Sequence, residues 1–166
     1  MQIKKEMTGQ QAYTKLTALC ARSEHCQHDM LEKMRQWGVS EEEQAQVMAR
    51  LVSEHYVDDE RYTRAFVNDK IRYNTWGRRK VEQALWMKHI DRDIAQQVLN
   101  DIDDSEYLNV LRPLLKQKSK ALSGKVSPSG GGTEGAKLIK FALSRGFTMD
   151  IIRQCINVED EDEFLD

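Results

Sequence analysis

An all-α fold, three tandem three-helix repeats of helix-turn-helix type in an elongated arrangement, is predicted by three features of the sequence. Apolar residues recur at steps of three and four in segment after segment, the spacing that lines one side of a helix. Only two prolines occur in 166 residues, while Gln, Glu, Lys, Leu and Ala, all good helix formers, are plentiful. The same phrase also returns: Val39, Ile90 and Phe147 hold equivalent places roughly fifty residues apart, the period of a small repeated helical unit. The predicted division is 1–57 for the first repeat with its lead-in, 58–103 for the second, 104–158 for the third, and 159–166 for an acidic tail.

Residues 1–11 read as a polar, frayed lead-in. Ala12 to Ala21 follows as a helix with Tyr13, Leu16, Leu19 and Cys20 on its apolar side, and Ser23 both ends it and caps the next. Met30, Leu31 and Met34 mark the second helix, closed by Trp37-Gly38, with Trp37 covering the core of the first repeat. Ser40-Glu41-Glu42-Glu43 is a capping box for a third helix carrying Val47, Met48 and Leu51. The second repeat passes from a helix between Asp59 and Tyr73, through one between Arg78 and His89, to a third capped by Asp91 with Ile94, Val98, Leu99 and Ile102 on its apolar side.

In the third repeat Tyr107, Val110 and Leu111 mark the first helix and Leu138, Phe141 and Ala142 the second. Gly146-Phe147-Thr148 leads into the last, with Ile151, Ile152, Cys155 and Ile156. Pro113 is expected to kink the first of these helices or restart it near Leu111, because proline cannot donate the hydrogen bond an interior position requires. Residues 123–132, SGKVSPSGGG, hold turn formers without an apolar period and read as a mobile insertion. The run Glu159-Asp160-Glu161-Asp162-Glu163, with Asp166, reads as an unstructured tail.

Most of the functional information lies in residues 58–90. Asp58 and Asp59 open a helix as its dipole favours, and Arg61, Arg64, Asn68 and Arg72 then fall on one side while Tyr62, Phe66, Val67 and Ile71 take the rest. Asn74-Thr75-Trp76-Gly77 breaks the helix, with Trp76 placed to stack on a partner. Arg78-Arg79-Lys80 then opens the next helix against its dipole, at a cost of a few tenths of a kcal/mol per exposed charge, roughly. That mismatch points to a partner for the charges rather than to a role in the fold.

Asp58-Asp59-Glu60-Arg61-Tyr62, Ala65-Phe66-Val67 and Gly77-Arg78-Arg79-Lys80-Val81, with Leu85 and Ile90 following, resemble the signature region of the RecX family, bacterial regulators of RecA recombinase filaments. Two positions depart from the family pattern: Arg78 stands where a proline commonly follows the glycine, and His89 where a glycine commonly precedes the isoleucine. The resemblance implies a non-catalytic role in homologous recombination, DNA repair and the SOS response, with the RecA nucleoprotein filament as partner and its ATPase or strand exchange restrained. It carries over Arg72, Arg78, Arg79 and Lys80 as partner contacts, with Lys70, Trp76 and Lys88 as secondary ones; the basic side of the preceding helix, read from the residues themselves, adds Arg61 and Arg64.

Composition removes other classes. A formal charge of −2 provides no global cationic field, so any phosphate contact must come from local patches. Cys20, Cys26 and Cys155 have no framework spacing, as in a reducing cytoplasm. Cys20, His25, Cys26 and His28 lack zinc-ligand spacing; Cys20 reads instead as a buried thiol and the histidines as surface residues, so neither metal nor cofactor is expected. The glycines of 123–132 lack the strand and Lys-Ser/Thr flank of a phosphate loop. No nucleophile, base and carboxylate form a local signature, so no enzymatic activity is expected. No run suits a membrane span, and a cytoplasmic monomer is the expectation. A DNA-binding tandem helix-turn-helix module, or a helical adaptor for a soluble protein, are the alternatives.

Overall fold

The computed structural model describes residues 6–123 and 134–156, and these form nine α-helices without a strand. In order they are α1 (Gly9–Arg22), α2 (Gln27–Gln36), α3 (Glu41–Ser53), α4 (Asp59–Arg72), α5 (Arg78–Met87), α6 (Arg92–Asn100), α7 (Asp104–Ser123), α8 (Glu134–Ser144) and α9 (Met149–Cys155). The all-α fold built from three-helix repeats is therefore present. Among the described residues no helix is long and apolar enough to cross a membrane.

The repeat is clearest at the turn between the second and third helix of each triplet. Gly38, His89 and Gly146 have φ of 72°, 55° and 92°. The residue after each, Val39, Ile90 or Phe147, donates its N–H to Met34, Leu85 or Ala142 at 3.0, 3.2 and 3.2 Å. Each turn thus satisfies a helix-end carbonyl with a left-handed residue and sends the next, apolar residue inward; Val39, Ile90 and Phe147 are all buried. His89 performs with a Cβ what glycine does in the other two copies, and its ring stacks on His28, with centroids 4.2 Å apart.

The described residues of Met1–Phe66 and Leu85–Val98 make one compact unit, and those of Val67–Ala84 and Leu99–Asp166 a second. In the first, α1 and α2 pack on α3 around Ala12, Leu16, Met30, Met34, Val47 and Leu51, with Trp37 partly buried against them. The lead-in joins the fold earlier than its polar composition suggests. Thr8 accepts from Gln11 N–H and Gln11 Oε1 accepts from Thr8 N–H, a reciprocal cap that starts α1 at Gly9, while Met7 N–H donates to the Trp37 carbonyl at 3.1 Å.

Ser23 closes α1 but does not cap α2. The cap position there is Cys26, which makes no side-chain bond, and Gln27 N–H donates to Asp59 Oδ1 at 2.9 Å. Asp59 thus serves a helix distant in sequence, while its neighbour Asp58 caps α4 by accepting from Arg61 N–H at 3.0 Å. Cys26, not Cys20, is the fully buried thiol, and burial pushes it up to about 11; Cys20 is half-buried.

In the second unit α7 packs against α8 and α9, with Tyr107, Leu111, Leu115, Ile139, Phe147 and Ile152 buried. α7 does not restart at Leu111: it runs unbroken through Pro113. Pro113 and Asn109 both lie on its exposed side, so water can reach the carbonyl that proline leaves without a donor. The insertion, beyond Ser123 at the end of α7, and the acidic tail lie outside the described residues.

Candidate functional site

The turn from α4 to α5 is built by contacts that local sequence cannot reveal. Tyr73 N–H makes the last α4-type bond, to Asp69, and Trp76 N–H reaches back to the Lys70 carbonyl at 3.1 Å. Between them Thr75 adopts φ 54°, a left-handed conformation that costs a β-branched residue about 1 kcal/mol or more. The Arg145 guanidinium holds it there, donating to the Asn74 carbonyl at 3.4 Å and Thr75 Oγ1 at 3.2 Å.

Backbone approach completes the clamp. Gly77 N–H donates to the Arg145 carbonyl at 2.9 Å and Arg79 N–H to the Gly146 carbonyl at 3.0 Å, so the start of α5 is partly capped by the turn before α9. A Cβ at Gly77 would lie 2.3 Å from Phe147 N, and one at Gly146 would lie 2.4 Å from Lys80 Cβ. Both positions need glycine for proximity, and Gly146 also needs it for its φ.

On this frame sit six of the nine residues expected to meet a partner. Trp76 is half-buried, and Lys70 and Lys80 bring their ammonium groups to 4.9 and 4.8 Å from its ring centroid, one from each helix. Arg79 is exposed. Arg72 is also exposed, and its contact with Glu106, at 3.8 Å, is a loose surface pair worth at most about 1 kcal/mol.

Arg78 has a role in the fold that the sequence did not disclose. Its Nη2 donates to Asn100 Oδ1 at 2.8 Å and its Nη1 to the Leu99 carbonyl at 3.4 Å, placing a cation on the C-terminal end of α6. What opposes one helix dipole complements another. Burial pushes the nearby Tyr107 phenol up to about 12, with Arg78 pulling it the other way. Arg78→Ala is accordingly expected to lower stability by about 1–2 kcal/mol in urea unfolding, whereas Arg79→Ala should change it by no more than about 0.5. Equal losses would contradict this assignment.

The remaining three belong to the other compact unit. Arg61 donates from Nε to Glu24 Oε1 at 2.5 Å and from Nη2 to the carbonyls of His55 and Tyr56 at 3.1 and 3.2 Å, closing the turn before α4. Arg64 pairs with Glu60 one turn back at 3.4 Å. Lys88 pairs with Asp29 at 2.9 Å.

Sequence reasoning missed Arg145, whose role depends on residues some seventy positions earlier, for which no local pattern exists. It also missed Tyr73, which is 80% exposed, and the exposed pair Trp86-Met87; an aromatic off the apolar period is the signal that was available.

A family model described as the second three-helix domain of RecX matches residues 58–99. A regulatory protein RecX of Acinetobacter baylyi is 29% identical over 162 residues, spanning 94% of this chain and 93% of its own. One from Vibrio campbellii is 25% identical over 144 residues, spanning 87% and 88%. The crystal structure of RecX from Lactobacillus salivarius has a TM-score of 0.77 at 17% identity, over 94% of this chain and 97% of that one, a likeness of fold.

Proposed function

The chain belongs to the RecX family, and from that premise we propose that it is a non-catalytic regulator which binds the RecA nucleoprotein filament and restrains its ATPase and recombinase activity. The observation that carries this reading is the surface of the α4–α5 turn: exposed Arg72 and Arg79, with Trp76 between Lys70 and Lys80, on a turn fixed by backbone contacts. A surface ordered in advance loses little entropy on binding, and exposed cations around an aromatic ring suit an acidic partner with apolar side chains. Arg78, Arg61 and Lys88 are secondary in this reading, because each is already engaged within the fold.

The reading keeps the three repeats at 1–57, 58–103 and 104–158 as its units and places a monomer in the cytoplasm. Direct capture of a DNA phosphate by the start of α5 is disfavoured. The carbonyls of Arg145 and Gly146 already take N–H groups there, and the Gly146-Phe147 backbone lies against Gly77.

Sedimentation with purified RecA, with and without single-stranded DNA and a slowly hydrolysed nucleotide, tests the proposal. Co-sedimentation is expected only when RecA, DNA and nucleotide are all present. Binding to DNA alone, falling steeply with salt, would support the DNA-binding module instead; binding to RecA irrespective of DNA would support an adaptor.

A further inference from the structure

We propose that Arg145 is a positioning residue for the α4–α5 surface, acting through Thr75 to hold Trp76 between Lys70 and Lys80. Both chain neighbours of Trp76 are bonded to this one residue. Arg145 Nη1 donates to Thr75 Oγ1 at 3.2 Å and to the Asn74 carbonyl at 3.4 Å, while the Arg145 carbonyl accepts from Gly77 N–H at 2.9 Å. Trp76 N–H supplies a further point of attachment, on the Lys70 carbonyl at 3.1 Å. The indole is thereby presented with the Lys70 and Lys80 ammonium groups 4.9 and 4.8 Å from its ring centroid.

The two halves of this grip make different demands on position 145. The bond from Gly77 is backbone to backbone and requires no particular side chain there. Thr75 does require one: its φ of 54° is left-handed, a conformation that a β-branched residue keeps only where its surroundings enforce it. Without the guanidinium, Thr75 relaxes toward negative φ, and the peptide leading into Trp76 turns with it. The guanidinium is itself held in place. Arg145 directly follows α8, its N–H bonds to the carbonyls of Phe141 and Ala142 at 3.2 and 3.1 Å, and its side chain lies over the Phe141 ring, 5.4 Å from the centroid. A ring ordered before it meets a partner loses less freedom on binding, so Arg145 enters the affinity without touching that partner. This consequence rests on the filament reading; the ordering of Trp76 does not.

The test uses the full chain and the indole N–H resonances of its three tryptophans, Trp37, Trp76 and Trp86, with Trp76→Phe assigning the middle one. Arg145→Ala is expected to move and broaden the Trp76 resonance and leave the other two in place, with circular dichroism and melting showing the variant to be folded. Arg145→Met, which keeps an apolar stem on the Phe141 ring, repeats the comparison should the alanine variant not fold. Thr75→Asn is the rescue, because asparagine takes the left-handed conformation unaided. Arg145→Ala combined with Thr75→Asn should therefore place the Trp76 resonance where Thr75→Asn alone places it. A Trp76 resonance that ignores Arg145→Ala, or that moves equally with Thr75→Asn present, would overturn the proposal.

Binding to RecA filaments on single-stranded DNA, with a slowly hydrolysed nucleotide, reads the consequence. Arg145→Ala should weaken it about tenfold, and the double variant should bind within about twofold of Thr75→Asn. Equal weakening in the double variant would make Arg145 a charge that the partner contacts directly and would overturn its positioning role. Wild-type protein that does not bind the filament would overturn the filament reading alone, with the resonances still deciding the role of Arg145.

Discussion

Gly77→Ala is expected to destabilise the protein by about 3 kcal/mol or more, the largest effect of any single methyl group added to the described glycines other than Gly146. The new Cβ would lie 2.3 Å from the amide nitrogen and 2.4 Å from the Cα of Phe147, far inside contact distance and against backbone rather than a movable side chain. Relief requires separating the α4–α5 turn from the turn before α9, which lengthens the bonds from Gly77 to Arg145 and from Arg79 to Gly146. Gly146→Ala should cost at least as much, because it adds a left-handed φ of 92° to a 2.4 Å approach to Lys80. Gly9→Ala is the control: its nearest neighbour is the Glu43 side chain at 3.2 Å, which can move, and a change within about 1 kcal/mol is expected. Urea unfolding of the three variants measures the ranking. A Gly77→Ala protein as stable as Gly9→Ala would mean that the clamp does not exist.

Arg72→Glu combined with Arg79→Glu is expected to weaken filament binding by about tenfold to a hundredfold while leaving the fold nearly intact. Both side chains are exposed, so their reversal opens no cavity and strands no buried partner. Among the described residues the pair affected, Arg72 with Glu106, becomes a like-charged contact on the surface, where the penalty is about 1 kcal/mol or less. Four units of charge change on the surface proposed to meet the filament, and on that proposal repulsion replaces complementarity. Co-sedimentation measures the affinity, and circular dichroism with melting separates lost binding from lost fold. Reversal of Lys4 and Lys5, remote in sequence from this turn, supplies the control for net charge.

How much of this was legible in the sequence varies with the range of the interaction. Helices were readable because their determinants are local: the apolar steps of Leu16, Met30 and Met34, and the cap at Ser40, which accepts from Glu43 N–H, one half of the expected box. The repeat was readable because Val39, Ile90 and Phe147 each follow the same left-handed turn, and a turn of that kind leaves glycine in two of its three copies. Thr8 was missed although its partner Gln11 stands in plain view, since polar composition outweighed the motif. The cap of α2 was beyond reach, because Asp59 provides it from thirty-two positions away. The same limit applies to the candidate site. Lys70, Trp76, Arg78 and Lys80 were all marked by type and spacing, but the bonds of Arg78 within the fold were not readable, because its acceptors, Leu99 and Asn100, are neighbours only after folding.

The most direct measurement is the DNA-dependent ATP hydrolysis of RecA in the presence of wild-type protein, the Arg72→Glu/Arg79→Glu variant, and the Lys4→Glu/Lys5→Glu control. Wild type and control are predicted to inhibit hydrolysis at similar concentrations, while the turn-surface variant, folded by circular dichroism, should leave it near the uninhibited rate. Equal inhibition by the turn-surface variant would contradict the assignment of this surface, and a wild-type protein without effect on RecA would contradict the function itself.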